Sequence, residues 1–321
     1  MKRCVPITIA LLASLALARG GGRAEAETAL QRFLSGAMPL NQLVNRIAFL
    51  GEQRWAAEEL INALHHGSDA RRHAQVLEAL AAVAPRGNEA AEQALVAALA
   101  EEELSLRLSA ARALGRLRSA RAGPALTALL KDNAPALRRE AARALGLIGS
   151  KTAAPALAAV VKSEPELEPR LAMILALGQL GDPRQVPLLE SFSKDTSQTT
   201  RLAAAQALCA LGAPSGLELA KRLLASKDVG ERVQGVLLLE GVKAKTAGPL
   251  LQASLAQPEH RLRATAARVL AEGGDGTRVD WLVLEGLKAQ GEDRLIYEEQ
   301  LEKLHLSDEA RQAILERAGV K

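Results

Sequence analysis

Seven arginines recur along this chain at almost constant intervals. Arg107, Arg138, Arg170, Arg201, Arg232, Arg263 and Arg294 are 31, 32, 31, 31, 31 and 31 residues apart. Each is followed seven residues later by a leucine: Leu114, Leu145, Leu177, Leu208, Leu239, Leu270 and Leu301. A period of this length marks an array of copied supersecondary units, each of which buries its apolar face only by stacking on the next.

The text inside the units says what the copied element is. Stretches such as RLSAARALGRL from Arg107, RREAARALGLIG from Arg138 and RLAAAQALCALG from Arg201 place alanine and leucine three, four and seven residues after the arginine, the spacing of one helical face. Gly115, Gly146 and Gly178 follow the leucine and are expected to end that helix. A second helix is expected to start near the proline 17 residues after the arginine, at Pro124, Pro155, Pro187 and Pro249. Two positions further on, Leu126, Leu157, Leu189, Leu251 and Leu282 keep register. Composition agrees: 48% of residues are hydrophobic but only 2% aromatic, which suits thin aliphatic layers between close helices better than one deep interior.

These units resemble HEAT repeats of the short, phycobilisome-lyase type, whose hallmark is an Arg-x-x-Ala-Ala-x-Ala-Leu-Gly stretch. The resemblance covers about residues 101–305; it is strongest at Arg138 to Gly146 and weakest at Arg232 and Arg294, where the alanines are lost. It implies an all-α fold, an α-solenoid (superhelix) of about nine stacked antiparallel helix pairs. Residues 27–100 read as degenerate N-terminal repeats, 101–305 as the regular array, and 306–321 as a C-terminal capping helix with Ser307 as N-cap.

Residues 1–26 have the parts of a secretory signal peptide: Lys2 and Arg3, an apolar run from Val5 to Ala18, and cleavage sites after Ala18 or Ala26. The apolar run falls short of the roughly 20 residues a membrane-spanning helix needs, so the mature chain is expected to be exported, periplasmic or secreted, without a transmembrane anchor. The formal charge of +4 falls to +2 on loss of Lys2 and Arg3, and to +1 if Arg19, Arg23 and Glu25 leave as well, which speaks against nucleic acid as a partner. Removal of Cys4 leaves Cys209 as a single thiol, expected to be a small buried residue where other repeats carry glycine.

The seven phased arginines, Arg107, Arg138, Arg170, Arg201, Arg232, Arg263 and Arg294, are read as a structural ladder. Glu101, Asp132, Glu164 and Asp195, six residues before four of them, are placed to cap a helix or to pair with an arginine of a neighbouring repeat. Extra basic residues in some units, Arg112, Arg116, Arg139, Arg143 and Arg268, form either a partner-binding strip or an ordinary solvated face. Trp55 and Trp281 lie in helical patterns as packed edges or exposed anchors.

Enzymatic chemistry finds little support. The di-iron hydroxylases of the HEAT class use His-Glu pairs, and no histidine here precedes a glutamate. His65 and His66 stand at a helix end, where a cation suits the dipole better than a metal pair does. GLIGSKT, from Gly146 to Thr152, breaks the order of a phosphate-binding loop. No catalytic residue, metal site or cofactor is expected. The reading is a non-catalytic scaffold presenting a concave helix row to a protein or peptide partner. The alternatives are a lyase-like accessory subunit for chromophore attachment, as the resemblance implies, and a structural spacer in an envelope assembly.

Overall fold

The computed structural model describes residues 22–65, 69–304, 306 and 313–314. The first 21 residues of the expected leader, His66, and most of the expected capping helix lie outside that set. Residues 22–26 are the first turn of a described helix, α1 (22–34). Among the described residues there is no strand, and no single helix is long and apolar enough to cross a membrane.

After α1 come α2 (Leu40–Leu50), α3 (Gln53–His65), α4 (Ala70–Val83), α5 (Glu89–Ala98), α6 (Leu104–Leu117), α7 (Gly123–Leu129), α8 (Pro135–Ile148) and α9 (Ala154–Val161). Then follow α10 (Leu167–Leu180), α11 (Val186–Phe192), α12 (Gln198–Ala210), α13 (Pro214–Leu224), α14 (Val229–Leu237), α15 (Ala244–Leu255), α16 (His260–Glu272), α17 (Thr277–Lys288) and α18 (Glu292–Lys303). The chain divides into two compact units, Met1–Val160 and Val161–Lys321. The boundary falls inside α9, the helix that absorbs the single 32-residue interval by running one residue longer than α7.

In the first unit α4 lies beside α6 and α6 beside α8, the last two carrying phased arginines, with α5 packed on α6 and α7 on α8. In the second unit α10 lies against α12, and α16 against both α14 and α18. Both helix types aim their phased leucines inward: Leu114, Leu145 and Leu177 from the first helices and Leu126, Leu157 and Leu189 from the second are wholly buried. At roughly 1.5–3 kcal/mol for each side chain so buried, the leucine register is the main source of cohesion.

One expectation about helix ends is corrected: Gly115, Gly146 and Gly178 do not end their helices but are buried two residues before the last helical residue. A Cβ at Gly115 would come 3.0 Å from the Cα of Ala144, and one at Gly178 2.6 Å from the Cα of Ala207, so these glycines set how closely α6 meets α8 and α10 meets α12. The turn out of each helix is made by a left-handed residue further on: Gly149 (φ 73°), Gly181 (φ 70°) and, where no glycine is present, Arg118 (φ 54°). In the caps of α6 and α8 the carbonyl of the anchor leucine accepts an N–H from five residues on, Leu114 from Ser119 at 3.2 Å and Leu145 from Ser150 at 3.3 Å.

The proline expectation holds at Pro124 and Pro187, which occupy the first turns of α7 and α11. It fails at Pro249, which lies inside α15, five residues past its start at Ala244. Where other repeats lead into the second helix with a 3-10 turn, such as Ala120–Ala122, this repeat continues the α-helix instead.

Candidate functional site

The phased arginines work on the main chain. Arg138 Nη1 donates to the carbonyls of Asp132 (2.8 Å) and Asn133 (3.3 Å). Arg170 donates twice to the Glu164 carbonyl, through Nε at 3.0 Å and Nη2 at 2.7 Å. Arg201 reaches the carbonyls of Asp195 and Thr196, both at 2.8 Å, and Arg232 those of Ser226 and Lys227 at 3.1 and 3.0 Å. The acceptors lie six residues upstream, and for Arg138, Arg201 and Arg232 five as well, in the turn leading into the arginine's own helix.

The acids of the same turn do not cap the helices, as Asp132 and Asp195 stand two residues ahead of the capping positions Ala134 and Ser197. Instead they close the turn: Asp132 Oδ1 accepts from Ala134 N at 2.9 Å, Glu164 Oε1 from Glu166 N at 3.1 Å and Asp195 Oδ1 from Ser197 N at 2.8 Å. Asp132 also receives the guanidinium of Arg107, 25 residues earlier, and Glu259 that of Arg232 at 2.6 Å, so the ladder joins one repeat to the next. With their donors committed in this way, these arginines do not form a continuous track for an anionic ligand.

The ends of the ladder differ. Arg294 pairs with Glu298 at 2.8 Å on the surface. Arg263 donates at 3.0 Å to the hydroxyl of Tyr297, which is wholly buried, while His260 Nδ1 lies 3.1 Å from the same oxygen. Burial pushes the Tyr297 phenol up, against the lowering influence of Arg263. Tyr297 is the one tyrosine in an aliphatic chain, a signal that the sequence carries but the repeat pattern does not. Trp281 packs beside it at 6.3 Å, and Trp55 is buried with the Arg23 guanidinium 4.0 Å above its ring.

Of the five strip residues, four come together. Arg112 and Arg116 are one turn apart on α6, and Arg139 and Arg143 one turn apart on α8, the neighbouring helix. Between them stands Glu140, a nearly buried carboxylate with Arg112, Arg139 and Arg143 at 3.7, 3.2 and 3.9 Å. Arg112 leans also on Glu78 of α4 at 3.8 Å. Arg116 is exposed and meets no acid among the described residues, and Arg143 keeps 63% of its side chain in solvent. Guanidinium charge exceeds carboxylate charge here, which leaves a positive surface on the α6–α8 face.

Arg268 does not belong to this surface, which corrects the sequence reading. It lies in the second unit and is 4% exposed, with Nε on Gln300 at 2.9 Å and Nη1 on Glu240 and Glu272 at 2.8 and 2.6 Å. Burial works against its charge, but the two carboxylates outweigh it and hold the pKa above the ordinary arginine value. It shares the repeat position of Arg112 and Arg143, and Glu240 from the turn after α14 and Gln300 from α18 cover it. Cys209, buried in α12, has its thiol pushed up to about 12 by burial. Among the described residues no three His, Cys, Asp or Glu side chains are grouped to hold a metal ion.

Several solved structures resemble this arrangement. The complex of CpcE and CpcF of phycocyanin lyase from Nostoc sp. PCC7120 aligns with a TM-score of 0.53 and 26% identity, covering 77% of this chain and 94% of that one. An engineered protein aligns with a TM-score of 0.43 and 20% identity over 90% of this chain and 85% of its own. Human deoxyhypusine hydroxylase in complex with glycerol aligns with a TM-score of 0.37 and 21% identity over 80% and 98%. No curated protein matches the sequence significantly. The 31-residue unit is thus a helix–turn–helix pair locked by its arginine, and models of HEAT repeats match residues 57–135, 92–172, 124–209 and 162–240, more than half of the chain, so that the protein belongs to the HEAT-repeat family.

Proposed function

We propose that this chain is an exported, non-catalytic HEAT-repeat scaffold that holds an acidic protein or peptide partner against the α6–α8 face of its first unit. The observation that carries the reading is the excess of guanidinium charge around Glu140, with Arg116 and Arg143 open to solvent beside Arg112 and Arg139. Desolvated carboxylates of a partner would meet donors already oriented by Glu140 and Glu78, so recognition would be charge-assisted and sensitive to salt. Export rests on the leader pattern of Lys2, Arg3 and the run from Val5 to Ala18.

Crosslinking in the native compartment tests binding. A defined acidic partner captured by the wild type and lost on Arg112→Glu with Arg143→Glu supports the reading; capture that survives the double reversal overturns it. The mass of the mature protein tests export, since an N-terminus at Arg19 or Glu27 is expected and an intact Met1 counts against it.

The likeness to the CpcE–CpcF complex favours a second reading, an accessory subunit for chromophore attachment. Visible absorbance that co-purifies with the protein would select it over the first.

A further inference from the structure

Beside the arginine surface lies an apolar groove in the same unit. The turn between α1 and α2, with Gly36 at φ 81°, folds Phe33, Met38, Pro39 and Leu40 toward Glu78 of α4, leaving a groove of about 380 Å³. Phe33 is one of three phenylalanines in the chain and Met38 one of three methionines, bulky or adaptable side chains that the helices here leave partly uncovered. Phe33, Met38 and Leu40 remain half-buried.

Glu78 belongs to both features. It lines the groove and its carboxylate is 3.8 Å from Arg112 Nη1, so the groove opens directly onto the guanidinium row. We infer that the partner segment carries a bulky aliphatic or aromatic side chain that enters this groove and carboxylates within the next few residues that reach Arg112, Arg116 and Arg143. An extended segment advances about 3.3 Å per residue, and one helical turn separates Arg112 from Arg116 by about 5.4 Å, so an apolar residue followed closely by acids matches the surface. A purely acidic segment would leave the groove in water, and a purely apolar one would leave the guanidiniums without carboxylates. The inference rests on the arginine reading above and narrows the partner to an apolar-headed acidic peptide.

The test uses two fluorescently labelled peptides, an oligoglutamate and the same oligoglutamate preceded by two leucines, titrated with the full chain and followed by anisotropy. The leucine-headed peptide is expected to bind roughly tenfold tighter. Met38→Ser, which strips the groove, and Met38→Trp, which fills it, should each abolish that advantage while leaving oligoglutamate affinity unchanged. Equal affinity of the two peptides, or an advantage that survives both substitutions, overturns the groove inference and leaves the arginine reading standing. Failure of oligoglutamate itself to bind overturns both. Self-association that depends on Met38 without peptide would assign the groove to a second copy of the chain and also overturn the inference.

Discussion

Gly178 of α10 faces the backbone of Ala207 in α12 so closely that a Cβ at position 178 would lie 2.6 Å from the Ala207 Cα and 2.9 Å from its carbonyl oxygen. The obstacle is main chain, which cannot rotate aside. Gly178→Ala is therefore expected to lower stability by about 1–3 kcal/mol, through forced separation of α10 and α12. Gly115→Ala, whose nearest approach is 3.0 Å, should cost less. Urea denaturation of the two variants checks the ranking, and an unchanged midpoint for Gly178→Ala would mean that the helices are not this close.

Arg118 closes α6 in the left-handed conformation that glycine supplies after α8 and α10. Replacing it by glycine removes the Cβ penalty at the cap. Arg118→Gly should raise stability by roughly 0.5–1 kcal/mol, seen as a higher thermal midpoint.

Arg268 and Arg143 occupy the same position in their repeats but have opposite surroundings, one 4% exposed and the other 63%. Arg268→Ala strands the ion pairs to Glu240 and Glu272 and the bond to Gln300, and should destabilise by roughly 2–3 kcal/mol, below the cost of a fully buried pair because both glutamates reach water. Arg143→Ala should change stability by less than about 0.5 kcal/mol. Equal losses in the two variants would contradict the assignment of one arginine to the interior and the other to the surface.

The Cys209 thiol, held at about 12 by burial, remains protonated at neutral pH. Ellman's reagent should leave Cys209 of the native protein unmodified and react with it on unfolding. Rapid native-state labelling would place the sulfur at the surface and refute its burial in α12.

Asp182 accepts from Arg184 N (3.1 Å), Arg184 Nε (2.9 Å) and Gln185 Nε2 (3.2 Å) at the start of the turn before α11. The Arg184 side chain, with Gln185 assisting against burial, lowers its pKa from 3.8 to about 2. A carboxylate with a depressed folded pKa stabilises the fold above its ordinary value, and the contribution disappears as pH falls from about 4 to about 2. Asp182→Asn should accordingly be less stable than the wild type at pH 6, with the gap closing through that acid window; a gap independent of pH would locate the effect elsewhere.

The leucine register could be read from the sequence because every repeat imposes the same burial on the same two positions, and Leu145 and Leu157 report that burial by period alone. Gly178 misled for the opposite reason. A glycine after an anchor leucine has the appearance of a helix stop, whereas the helix here runs on to Leu180 and the stop is Gly181. The distinction depends on Ala207 in another helix, which no local pattern contains. Arg268 shows the same limit: its repeat position matches that of Arg143, and only the arrival of Gln300 and Glu240 puts it inside. The main-chain role of Arg138 and Arg170 was not visible either, because a guanidinium bound to carbonyls leaves no partner side chain to recognise in the sequence. The groove at Met38 is not legible in the sequence because the first repeats depart from the 31-residue spacing.

The stacking of Arg23 on Trp55 carries a consequence for the proposed export. Arg23 also pairs with Glu52, and Glu25 with Arg46, while Ala26 is wholly buried within α1. A signal peptidase cut after Ala18 would release a chain that still owns these contacts; a cut after Ala26 would discard them and leave the indole of Trp55 uncovered. If the proposed export holds, tryptophan fluorescence of the processed chain would report the scissile bond, because the two products would differ in whether a guanidinium screens that ring from water.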